Sequence, residues 1–87
     1  MPWRVASVAV LPDFCLDIKF IDGSTGVVDL SELIASPAAG VFASLRDPKA
    51  FSKVYLEYGA VTWPGEIDLA PDAMYAAIRK AGRWTPG

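Results

Sequence analysis

The side chains able to do chemistry are few. The chain has ten Asp and Glu, eight Lys and Arg, one cysteine and no histidine. Without histidine, cysteine–histidine zinc sites and histidine-dependent triads and dyads are excluded. Cys15 has no histidine to activate it and reads as a small packing residue. Carboxylates remain. Glu57, Glu66 and Asp68 are close enough in sequence to pair as acid and base, the route to a small carboxylate enzyme. Nothing in their spacing fixes a separation, and ordinary solvated hairpin carboxylates account for them equally well. No cofactor or metal site is expected.

Two other groupings suit recognition. Trp63, Glu66 and Asp68 surround one turn, an aromatic anchor with acidic neighbours that could receive a basic partner. The alternative is that Trp63 packs and Asp68 caps the helix approach. Arg79, Lys80 and Arg83 with Trp84 form a basic, aromatic tail, the combination that holds single-stranded nucleic acid. Three charges are few for that task, and a helix dipole accounts for two of them. Trp84 either folds back or offers a second anchor. Trp63, Glu66, Asp68 and Trp84 are thus the candidate interaction patch.

A hairpin from Phe14 to Leu30 organises the elements that position these groups. Leu16, Ile18 and Phe20 alternate with Asp17 and Lys19, the period of a half-buried strand. Val28 and Leu30 alternate with Val27 and Asp29 in the return strand, and Asp22-Gly23 is a hairpin turn signal. A two-residue loop would put Val28 and Leu30 on the wrong face. A three-residue loop, or a bulge near Gly23 to Gly26, restores them, with Ile21 opposite Thr25, Ile18 opposite Val28 and Leu16 opposite Leu30. That register makes Asp17 and Asp29 neighbours. Either Asp29 leaves the ladder to cap the next turn, or the pair is part of a cation site, for which two carboxylates supply too few oxygens.

The remaining elements follow in order. Arg4 to Leu11 reads as a strand whose phase is unclear, because Val5 is out of step with Val8 and Val10. With the hairpin it makes an antiparallel meander over about 4–30. Asp29, with Ser31 as the alternative, caps a short helical turn ended by Pro37 and Gly40. A second short turn covers Val41 to Leu45. Asp47-Pro48 opens a brief helix to about Lys53. Phe42, Leu45 and Phe51 are expected to close one side of the core. A second short strand pair lies within about 54–69, turning at Tyr58-Gly59 and ending at Trp63-Pro64. Pro71 opens the one long helix, about 71–81, with Met74, Ala77, Ile78 and Ala81 as its apolar stripe and Gly82 as its stop.

Length and composition fit this α+β reading of one domain over 1–87. The apolar fraction, 53 %, supports a core and leaves apolar surface for a partner, so a homodimer is open. A net charge of −2 argues against nucleic-acid binding by this domain. The absence of a long apolar run at the N-terminus predicts neither signal peptide nor membrane span, and the lone cysteine suits the cytoplasm.

The order Phe20-x-Asp22-Gly23, Asp29-Leu30, Leu45-Arg46-Asp47-Pro48-x-x-Phe51 and Trp63-Pro64-x-x-x-Asp68-Leu69-x-Pro71-Asp72-x-x-Tyr75 resembles a family of small bacterial proteins known only as a domain of unknown function. The resemblance covers nearly the whole chain. It implies an α+β fold with a meander, further strands and a C-terminal helix, and brings no activity, ligand or catalytic residue. Some relatives carry a repressor-like helix-turn-helix after the domain. The chain ends at Gly87, so no such element, and no direct operator binding, is expected. Relatives often lie beside a second small protein of unknown function, as in toxin–antitoxin pairs. The resemblance therefore implies a protein partner encoded nearby. Glu66 stands where relatives commonly have a small, glycine-like residue. The leading expectation is a non-enzymatic protein-interaction module, antitoxin-like. The alternatives are a nucleic-acid-binding or transcription-regulatory accessory protein and a small carboxylate enzyme.

Overall fold

Five inward side chains set the first sheet. Leu16, Ile18 and Phe20 on β2 (Cys15–Phe20), Val28 on β3 (Thr25–Asp29), and Leu30 just beyond it are all buried. The computed structural model describes residues 2–87. With β1 (Val5–Leu11) these strands form an antiparallel meander, and β7 (Arg83–Trp84) adds in parallel beside β3. A second antiparallel sheet contains β4 (Tyr55–Glu57), β5 (Ala60–Trp63) and β6 (Ile67–Asp68). Between the sheets run α1 (Ser31–Ala35), a 3-10 helix (Gly40–Arg46) and α2 (Pro48–Phe51); α3 (Pro71–Ala81) follows the second sheet. The class is α+β, as the resemblance and the periodicity imply.

The hairpin loop has three residues, as expected, but is displaced by one position. Its residues are Ile21, Asp22 and Gly23, closed by Phe20 N–H donating to the Ser24 carbonyl at 2.8 Å. Leu16 therefore faces Val28, and Ile18 faces Gly26, not Val28. The expected pairs of Ile18 with Val28, Leu16 with Leu30 and Ile21 with Thr25 do not form. A shift of two residues keeps every side chain on its own face, so burial alone does not choose between the two registers. The shift separates the two acids. Asp29 lies opposite Cys15, and Asp17 opposite Val27. The Asp17–Asp29 contact, and with it the cation site, is removed.

The phase problem in β1 has a local cause. The register slips between Val5 and Ser7, an insertion of one residue at Ala6. Val5 pairs with Phe20, Val8 with Ile18 and Val10 with Leu16, so the bulge brings the three valines into one phase, with Val5 buried, Val8 packed against the core and Val10 exposed near the strand's end. The strand pair anticipated near 54–69 is a three-stranded sheet, because Ile67–Asp68 joins it. Trp84 folds back: its strand pairs with Val27 and Val28, and its ring packs on the core.

The helices close the core. Arg46 donates from Nε to the Ile34 carbonyl at 2.8 Å and from Nη2 to Ser36 at 3.1 Å, satisfying carbonyls at the end of α1. Asp47 accepts from Lys49 N–H at 3.0 Å, and Pro48 occupies the first turn of α2. Leu45 and Phe51 are buried and Phe42 packs on them, as expected. Met74 and Ile78 form the buried stripe of α3, while Ala81 is exposed. Ala70, not Asp68, precedes α3, and no side chain caps it.

The β2–β3 loop is tied to α3. Tyr75 donates its hydroxyl to Asp22 Oδ2 at 2.6 Å, and its ring meets Phe20 edge-on at 5.0 Å. The Tyr75 hydrogen bond, then the Ser24 backbone, hold the Asp22 carboxyl below the usual carboxylate range. The same bond raises the Tyr75 phenol above its ordinary value. A depressed carboxyl stabilises the fold above its unfolded pKa, and that contribution is lost as pH falls through the folded value. The raised phenol contributes below its unfolded pKa, and its share is lost as pH rises through the folded value. Tyr75→Phe should therefore flatten both the acid and alkaline limbs of a melting-temperature profile. An unchanged profile would mean that this bond does not form in solution.

Candidate functional site

The second sheet has two chemically different faces. Leu56 pairs with Val61 and Trp63 with Ile67, and these four side chains pack in the core. Residues out of phase with them point the other way. Tyr55 lies opposite Thr62, and Thr62 lies opposite Asp68, so one row crosses all three strands. Glu57 and Ala60 form the next row. Tyr55 is 43 % exposed, Thr62 only 4 %, and Glu57 and Asp68 are exposed. The buried threonine hydroxyl is satisfied by the Ala60 carbonyl at 3.0 Å. The outcome is an aromatic ring and two carboxylates around a small, hydrogen-bonded floor. Tyr58, 90 % exposed, extends the aromatic surface at the β4–β5 turn, and Glu66 adds a carboxylate at the β5–β6 turn.

Strained turns hold the rims of this face. Tyr58 and Gly59 have φ of 51° and 79°, the two left-handed residues of a tight hairpin. Glu66 has φ of 63° after Gly65 at 96°. Glu66 is strained there, because a side chain is disfavoured in the left-handed region. Glu66→Gly and Tyr58→Asn should each stabilise the fold by up to about 1 kcal/mol. Urea midpoints would check this; a loss in both variants would contradict the turn geometry.

The four residues of the expected patch do not form one surface. Trp63 is 0 % exposed, and its indole Nε1–H donates to the Phe51 carbonyl at 2.8 Å. It is a core residue, as the packing alternative has it. Trp84 belongs to the first sheet and is half-buried. Glu66 and Asp68 remain exposed on the second sheet. Tyr55 takes the aromatic place. Its signal lay in strand phase: once Trp63 and Val61 point inward, Thr62 and its cross-strand partners must point outward.

The basic tail is engaged within the fold. Arg83 pairs with Asp29 at 2.8 Å, the one ion pair among the described residues. Asp29 Oδ1 also accepts from the Ser31 hydroxyl at 2.6 Å and from Ser31 N–H at 3.0 Å. These Ser31 bonds, more than Arg83, hold the Asp29 carboxyl below its usual range. Arg79 reaches Ser24 Oγ at 3.4 Å. Burial, and then the Asp29 charge, push the Cys15 thiol above its ordinary value, which disfavours the thiolate. Among the described residues no three acids and cysteines gather as metal ligands, and no helix is long and apolar enough to cross a membrane.

Most residues that carry the family resemblance have structural work here. Asp22 and Tyr75 bond each other, Arg46 ends α1, Asp47 and Pro48 start α2, Trp63 bonds Phe51, and Pro71 starts α3. Asp68 is an exception: it is exposed, pairs only through its backbone with Thr62, and caps nothing. The family model described as a protein of unknown function, DUF2442, matches residues 5–80. No curated protein and no solved structure matches the chain.

Proposed function

The chain belongs to the DUF2442 family of proteins of unknown function, and from that premise we propose that it is a non-enzymatic protein-interaction module that receives a basic partner, in the manner of the antitoxin member of a two-gene pair. The supporting observation is the outer row of the second sheet, where Tyr55 and Asp68 flank Thr62 and Glu57 stands alongside. Aromatic residues dominate binding energy at interfaces, and carboxylates without an internal cation are free to meet an external one. Among the described residues the one ion pair uses Asp29, on the other sheet, and Glu57, Glu66 and Asp68 are exposed. The partner is the product of the adjacent gene, following the family resemblance, and the setting is the cytoplasm. Co-expression with that product should yield a complex that survives size-exclusion chromatography. Failure to co-purify with the tag on either protein would contradict this reading.

A further inference from the structure

We propose that the free edge of β1, with the apolar cleft at its end, accepts an extended segment of a partner protein as an added strand and seats one bulky apolar side chain from it. This rests on the interaction-module reading, but uses a surface on the other sheet. The strand is outermost in its sheet, so one row of its backbone N–H and C=O groups has no neighbouring strand. The β4–β5 turn covers only its start, where Val5 N–H donates to the Gly59 carbonyl at 2.9 Å. Beyond it, Ser7 to Leu11 contains no charge and no proline. Exposed edges are usually blunted by such residues, because an unprotected one invites pairing.

The cleft begins where the strand ends. It encloses about 250 Å³ and is lined by Val10, Pro12, Phe14, Pro48 and Phe51, with Asp13 its only charged lining residue. That is below the ~300–1,000 Å³ typical of small-molecule sites, and suits a single side chain. Val10 is 44 % exposed beside it. Phe14, which meets Phe51 edge-on at 5.3 Å, is held at φ of 60°, and Asp13 before it at 61°. Two consecutive non-glycine residues in the left-handed region form this wall, a costly arrangement of the kind found at binding sites. Strand addition combines main-chain hydrogen bonds with a pocket for a side chain, and both are adjacent here.

The occupant is a heterologous segment. Ser7 to Leu11 of a second copy carries no cation to meet Asp13 in the cleft lining. A partner segment with Phe or Leu fills the cleft, and a Lys or Arg beside that residue meets the Asp13 carboxylate.

A synthetic probe tests this without the natural partner: a fluorescent peptide of about eight residues, alternating Thr and Val, with one central Phe and terminal Lys. Titration should saturate below about 1 mM and perturb the amide resonances of Ser7 to Leu11. Replacing the peptide's Phe by Ala, methylating alternate peptide nitrogens, or introducing Val10→Lys should each weaken binding at least about tenfold. Val10→Lys should melt within a few degrees of the parent. If it unfolds instead, Val10→Thr, with the same shape, replaces it, and the two peptide changes carry the test. No binding at 1 mM, or indifference to N-methylation, would overturn the proposal. A parent dimer that Val10→Lys converts to monomer would overturn it too, by giving the edge to a second copy. If the complex with the adjacent gene's product survives Val10→Lys while the probe fails, the edge proposal falls and the interaction reading stands.

Discussion

Replacing Trp63 with alanine should lower the free energy of unfolding by about 3–5 kcal/mol. A chain of this length holds about 4–13 kcal/mol in total, at ~0.05–0.15 per residue, so the loss runs from about a quarter of the stability to all of it. Trp63 is wholly buried, and its ring lies 5.7 Å from that of Phe51 at a 36° tilt. Truncation opens a cavity between the second sheet and α2. It also removes the indole N–H that satisfies the Phe51 carbonyl. Trp63→Phe separates the two effects. It keeps most of the apolar volume and orphans the carbonyl, a loss of about 1–3 kcal/mol. Urea unfolding followed by circular dichroism measures both. A change below 1 kcal/mol for Trp63→Ala would mean that the indole is not at the core, and would return it to the surface patch.

The second large effect lies where α3 crosses the first sheet. Ile78 is buried directly above Gly26, and a β-carbon added to Gly26 would come within 2.6 Å of Ile78 Cγ2 and 2.8 Å of the Gly82 carbonyl oxygen. The Gly82 carbonyl also accepts from Val27 N–H at 3.2 Å, so moving it disturbs β7. Ile78→Ala should cost about 2–5 kcal/mol through cavity formation, and Gly26→Ala about 1–3 kcal/mol or more through overpacking. The double variant should be less destabilised than the sum, since the new methyl enters space that Ile78 leaves. Simple additivity, measured by the same unfolding experiment, would show that the helix does not rest on Gly26.

The sequence made the parts governed by local periodicity legible. The five inward residues of the hairpin, α3 from Pro71 to Ala81, and the Asp47-Pro48 helix start follow from alternation, spacing and capping chemistry. Pairing offset was less accessible. Registers two residues apart present identical faces, so Leu16, Ile18 and Phe20 are equally buried whether Ile18 meets Val28 or Gly26. What favours Gly26 is nonlocal: opposite Ile18, it leaves room for Ile78 from α3. The bulge at Ala6 reconciles Val5 with Val8, and periodicity could report only the conflict. Arg83-Trp84 was invisible as a strand because two residues carry no pattern, and β3 supplies their order.

The candidate site divides in the same way. Glu66 and Asp68 are exposed, as their polarity suggests, and Trp63 is not, because an aromatic in a short strand is equally compatible with anchor and core. Tyr55 became visible only through the register that sets it opposite Thr62. Asp22 and Tyr75, far apart in sequence, form one hydrogen bond that neither residue announces.

The most direct test of the functional account is the affinity for the adjacent gene's product, measured by calorimetry for the parent and for Tyr55→Ser combined with Asp68→Lys. Both positions lie on the outer row, away from the core, and the variant should keep the parent's melting temperature within a few degrees. The account predicts parent binding that weakens with added salt, and a loss of at least about 1.4 kcal/mol, or tenfold, in the variant. Equal affinity for the two proteins, independent of salt, would contradict it.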